Sequence, residues 1–186
     1  FFQVSSIITT TGYSTVDFDL WPTTAKLVLV LLMFIGACAG STGGGMKVSR
    51  FLIAGKTVRK EIGSYIHPKS VKKIQMDGKP IEHDVVRSTN VYFMTYLALF
   101  ALFLFLISFE GLDLTSSFTA VAATFNNIGP GLGAVGPTCN FSLFNDFSTW
   151  VLTFAMLAGR LELFPMLMLF HPTLWKESFF GSRQDS

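Results

Sequence analysis

Val91 to Phe109 reads VYFMTYLALFALFLFLISF, nineteen residues without one charged side chain. A helix of that composition needs an apolar environment on every side. About 20 such residues cross the ~30 Å hydrocarbon core of a bilayer. Composition agrees, since half of the 186 residues are apolar, 14% are charged, twenty are Phe and the mean hydropathy is +0.49. A soluble domain of this size would need a more charged surface. Two further stretches read as spans: Leu27 to Gly45, with an uncharged core from Leu27 to Cys38, and Phe147 to Phe170, apolar except for Arg160 and Glu162. The segments Phe1–Thr10 and Leu114–Thr124 are apolar but too short to cross, and are expected as re-entrant helices. Phe1 opens inside an apolar segment with no basic leader before it, so further chain is expected upstream.

Ten of the fourteen basic residues lie between Lys47 and Arg87. The positive-inside rule makes that loop cytoplasmic. The first span then runs inward, the second outward and the third inward. Asp17, Asp19, Glu110, Asp113 and Asp146 fall outside, where carboxylates raise the local cation concentration. They are equally explained as what remains when basic residues are excluded from that side.

The segment FFQVSSIITTTG (1–12) lies on FTAVAATFNNIG (118–129) without a gap. Each is a short apolar helix ending in polar residues and then Gly, with a polar outer stretch and a long span after it. The repeated unit is span, short helix, polar Gly turn, span, the plan of a potassium-channel subunit. Thr10-Thr11-Gly12-Tyr13-Ser14 matches the Thr-Val-Gly-Tyr-Gly filter at the Thr, Gly and Tyr positions. In such a filter, backbone carbonyls replace the water around the ion, and Gly permits the conformations this needs. Asn127-Ile128-Gly129 occupies the same place in the second unit. Ion-binding residues are therefore expected at Thr10, Thr11, Gly12, Tyr13, Asn127, Ile128 and Gly129, with potassium as the bound metal.

The motifs QVSSIITTTGYSTVDF (3–18), GACAGSTGGGMKVSR (36–50), TFNNIGPGLG (124–133) and GRLELFP (159–165) together resemble the C-terminal half of bacterial Trk-type potassium uptake proteins, the TrkH/TrkG branch of the Trk/Ktr/HKT superfamily. The resemblance implies an all-α polytopic membrane protein of the inner membrane. Four span–pore helix–filter–span units would surround one pore, and this chain would hold the last unit and part of the third. It also implies homodimers and a cytosolic nucleotide-binding subunit of the TrkA type. On that plan, residues 1–57 close the third repeat and 58–88 form the basic cytoplasmic loop. Residues 89–180 make the fourth repeat, and 181–186 are a polar tail.

Gly40, Ser41, Thr42, Gly43, Gly44 and Gly45 interrupt the first span. Each Gly costs a helix up to about 1 kcal/mol relative to Ala, so regular helix is not expected here. Irregular backbone at membrane depth is tolerated where it is buried in protein or lines a cavity, and a loop below the filter can gate. The resemblance implies that role. Close helix packing through small residues is the alternative. A phosphate-binding loop fails, because Gly45 is followed by Met46 and Lys47 rather than Lys and Ser/Thr. Arg160 within a span costs ~2.5–3.5 kcal/mol unless it faces a cavity or partner. The resemblance implies a pore charge beneath the filter, and a structural Arg capping carbonyls is the competing role.

Asp77-Gly78 predicts a hairpin turn. The basic loop suits anionic membrane lipid or the docking of a cytosolic subunit, which the resemblance favours, beside the plain reading of a solvated positive-inside loop. With no metal spacing, triad or carboxylate pair, no enzyme, organic cofactor or nucleic-acid partner is expected. The competing function is an ion-coupled secondary transporter with broken helices and a midplane site.

Overall fold

The computed structural model describes residues 1–36, 43–66, 75–76, 79–161 and 163–169. Among the described residues, seven α-helices carry the architecture: α1 Phe2–Ile8, α2 Thr23–Phe34, α3 Val48–Ile66, α4 His83–Ser108, α5 Leu114–Phe125, α6 Asp146–Arg160 and α7 Leu163–Leu169. Two minimal sheets accompany them. β1 (Ile35–Gly36) pairs in parallel with β2 (Met46–Lys47). β3 (Gln75–Met76) pairs antiparallel with β4 (Lys79–Pro80) across the two residues for which the hairpin turn is expected.

α5 is the hub. Ser116, Ser117 and Thr119 to Phe125 are all buried, and the helix packs against α2, α4 and α6. Its small residues, including Ala120, Ala122 and Ala123 at 0% exposure, let neighbouring backbones approach closely. Small-residue interfaces of this kind drive packing where lipid supplies no hydrophobic force between helices. Around its inner end an aromatic cluster fills space, with Phe125 stacked on Tyr96 at 4.6 Å and edge-on to Phe103 at 5.5 Å between centroids. At its N-terminal end Asp113 caps α5, its carboxylate accepting from the Ser116 amide at 3.2 Å. Hydrogen bonds from Ser116 hold this carboxyl below the usual aspartate range.

Among the described residues, α4 is the one helix long and apolar enough to cross a membrane. At 1.5 Å per residue its 26 residues reach about 39 Å, more than the ~30 Å core requires. The other two expected spans are not continuous helices. α2 stops at Phe34, because the chain turns into β1 and Gly36 packs tightly on the returning segment. A Cβ there would stand 2.6 Å from the Gly44 carbonyl oxygen. The third span breaks after Arg160. Pro165 explains the break, since its ring would collide with the carbonyl four residues earlier, that of Leu161. The stretch expected as a basic loop also contains regular structure. The boundary drawn between 57 and 58 falls inside α3, and α4 begins at His83, ahead of residue 89.

Candidate ion-conducting site

The two Gly turns end their helices in the same way. Thr10 has φ 56° and Asn127 has φ 56°; Gly12 and Gly129 follow at 78° and 110°. In the first turn the Thr10 amide donates to Ile7 at 3.1 Å and the Thr11 amide to Ser6 at 2.9 Å. In the second the Asn127 amide donates to Thr124 at 3.0 Å and the Ile128 amide to Ala123 at 2.8 Å. This is the Schellman pattern of a left-handed residue closing a helix, repeated at the positions that the sequence alignment pairs. Left-handed backbone is unusual for a β-branched residue such as Thr10. Both helices point their C-terminal ends, which carry about half a negative charge, at these turns. That field favours a cation.

The turns touch. A Cβ on Gly12 would overlap the Ile128 carbonyl oxygen, and would lie 3.2 Å from the Pro130 ring. The Ser6 hydroxyl donates to the Tyr13 carbonyl at 2.6 Å and fixes its direction, while the Tyr13 ring is exposed. Behind the second turn, Thr119 donates to the Thr115 and Leu132 carbonyls and accepts from the Leu132 amide at 3.0 Å. Asp19 ties together the segments that follow the two turns: it accepts from the Gly133 amide at 3.2 Å and pairs with Lys26 at 3.1 Å. A pocket of about 470 Å³ is lined by Thr10, Thr11, Asn127, Ile128 and Gly129 together with residues of α6. From α6 the lining takes both apolar and hydroxyl side chains, Leu152 and Met156 beside Thr149 and Thr153.

The profile of the TrkH family, described as a cation transport protein, matches residues 1–182. This chain belongs to the TrkH family. It is 40% identical over 177 residues to the Trk system potassium uptake protein TrkH of Escherichia coli K12, covering 95% of this chain and 36% of that relative. It is 37% identical over 176 residues to TrkG of the same organism, with coverage of 95% and 36%. The crystal structure of the potassium transporter TrkH from Vibrio parahaemolyticus superposes with a TM-score of 0.84 at 42% identity, over 94% of this chain and 37% of that one. The chain thus spans about a third of its TrkH relatives, and it is a helical membrane protein.

Of the expected gating residues, Gly43, Gly44 and Gly45 are described; Gly40, Ser41 and Thr42, like Cys38 and Glu162, lie outside the described residues. Gly43 to Gly45 is not helical, and Gly45 has φ 76°. The three glycines return the chain against the inner end of α5, where a Cβ on Gly44 would overlap the Asn126 carbonyl oxygen. Arg160 closes α6 on its exposed side, with no hydrogen-bond or ion-pair partner among the described residues. The glycine before it is wedged on the same end of α5: a Cβ on Gly159 would overlap the Phe125 carbonyl oxygen. The Asn127 amide side chain donates to Met156 of α6 at 3.0 Å.

Three contributors are not among the expected site residues: Asn126 and Gly159, which lie inside quoted motifs, and Tyr96. Asn126 is 0% exposed, and its carboxamide oxygen accepts from the Tyr96 hydroxyl at 2.8 Å. A tyrosine inside an otherwise Phe- and Leu-rich span is the signal available in the sequence, because its hydroxyl requires a partner away from water.

Proposed function

We infer that the full-length parent of this chain takes up potassium across the bacterial inner membrane, through a pore lined by backbone carbonyls of residues 10–13 and 127–129. The single observation carrying this reading is the pair of matching turns in contact at Gly12 and Ile128. A residue of positive φ at every second position, 10 and 12 in one turn and 127 and 129 in the other, supports successive carbonyls facing one side, the requirement for replacing the hydration shell of a dehydrated ion. Both turns sit at the negative ends of their helices. The names of the relatives, all potassium uptake proteins, support the choice of ion.

On this reading the Gly-rich segment 40–45 gates the path below the turns. Arg160 places a positive charge beside it that limits occupancy by cations. Residues 47–88 face the cytoplasm and meet lipid headgroups or a nucleotide-binding subunit of the TrkA type, and the complete protein works as a homodimer. Potassium is the cargo.

The breaks at Phe34 and Arg160 are the observation favouring the second reading, an ion-coupled transporter with broken helices around a midplane site. Uptake driven by membrane potential alone supports a channel; uptake that collapses with a proton or sodium gradient supports coupling.

The test is potassium and sodium uptake by the full-length parent in cells lacking other potassium uptake systems, beside Gly129→Ser. Space around Gly129 is open, so only its left-handed backbone resists the side chain. Potassium-selective uptake that the substitution degrades is expected. Absence of any cation flux from protein present in the membrane would overturn the reading.

A further inference from the structure

Asn126 joins two parts of the site that the sequence treats separately. The internal alignment pairs it with Thr9, which is exposed and whose hydroxyl, among the described residues, bonds only to its own neighbours, Ser5 and Thr11. Asn126 is enclosed. Its Oδ1 accepts from Tyr96 Oη of α4 at 2.8 Å, and its Nδ2 donates to the Ala122 carbonyl at 2.9 Å. With both ends of the carboxamide bonded, the side chain cannot turn without leaving a buried polar atom unpaired. Gly44 lies on its main-chain carbonyl, and a Cβ on Gly45 would stand 3.1 Å from its Oδ1. Lys47 Nζ completes the return of this segment by donating to the Gly43 carbonyl at 2.7 Å. The next residue along the chain is Asn127, the left-handed residue of the second turn.

We propose that Asn126 is a positioning residue, held by the Tyr96 hydroxyl, which seats Gly43–Gly45 on the base of the second turn and couples the segment's position to that turn. The functional consequence rests on the pore reading above; the geometry does not. If the seated segment obstructs the path, loosening the seat raises unstimulated flux. If the Tyr96–Asn126 bond only satisfies two buried polar groups, loosening it lowers the amount of protein and leaves flux per inserted molecule unchanged.

The experiment uses the purified full-length parent in liposomes and measures unstimulated potassium flux per inserted molecule and the potassium-to-sodium ratio. Tyr96→Phe deletes one hydroxyl, and Gly44→Ala unseats the segment from the opposite side. Loss of a hydrogen bond of ordinary strength predicts that Tyr96→Phe raises flux about 3- to 10-fold. Gly44→Ala should raise it at least as much, and the double variant no further than the larger single, as expected when two changes act on one contact. Unchanged flux in Tyr96→Phe, or effects that multiply in the double variant, overturns the proposal. Should Gly44→Ala not reach the membrane, Asn126→Ser must raise flux as Tyr96→Phe does; failure to do so also overturns it. Gly129→Ser separates the two readings. If it relaxes selectivity while the seat variants leave flux unaltered, the pore stands and the seat falls. If the inserted parent carries no selective cation flux, both fall.

Discussion

At the scale of single residues, the site is made by backbone rather than by side chains. Gly12 and Gly129 both adopt left-handed φ, but their surroundings differ: Gly12 is pressed against the Ile128 carbonyl, whereas a Cβ on Gly129 would meet nothing within 4 Å. Left-handed backbone costs an L-residue roughly 1–2 kcal/mol. Gly12→Ala meets that cost and a steric overlap together. Its potassium-to-sodium flux ratio in the full-length parent should therefore fall further than that of Gly129→Ala, with both proteins still inserted. Equal ratios for the two variants would mean that the turns do not touch in the assembled protein. The turn glycines were legible in the sequence because Thr10-Thr11-Gly12 falls in register with Asn127-Ile128-Gly129. Asn126 was not, since the same alignment pairs it with Thr9, an exposed residue with a different task. Burial by a segment far away in the chain makes the difference, and local sequence does not encode it.

At the scale of elements, α5 is held by close backbone approaches that only small residues allow. Gly159 of α6 sits on the Phe125 carbonyl. Gly159→Ala must push α6 away from the inner end of α5, and overpacking of this kind costs about 1–3 kcal/mol. The expected result is a lower melting temperature in detergent, together with altered flux through the disturbed Asn127–Met156 contact. An unchanged melting temperature would show that α6 slides without cost. Helix type and order followed from hydropathy at α4, where an uninterrupted apolar run leaves no alternative. Helix ends did not. Phe34 terminates α2 because Ile35 and Gly36 pair with Met46 and Lys47 across the Gly-rich segment, a non-local contact. The break after Arg160 was readable from Pro165, yet continuous hydrophobicity through 147–170 masked it. α3 was hidden for the opposite reason: its basic residues read as loop, while Ile53 and the partly buried Phe51 anchor one face against the rest of the fold.

At the scale of the whole molecule, the chain spans 36% of its TrkH relative from Escherichia coli, so on the proposed reading its two turns line only part of the ion path. Exposed apolar residues along α4, among them Met94, Leu97 and Phe105, are then surfaces for lipid or for the remaining repeats. The central claim is that potassium binds between the carbonyls of the two turns. The most direct measurement is a crystal structure of the full-length parent grown with thallium or rubidium in place of potassium, read by anomalous scattering. Ion peaks are expected against the carbonyls of Thr10, Thr11, Asn127 and Ile128, weakened in Gly12→Ala. Peaks confined to other parts of a protein that still transports potassium would contradict the claim.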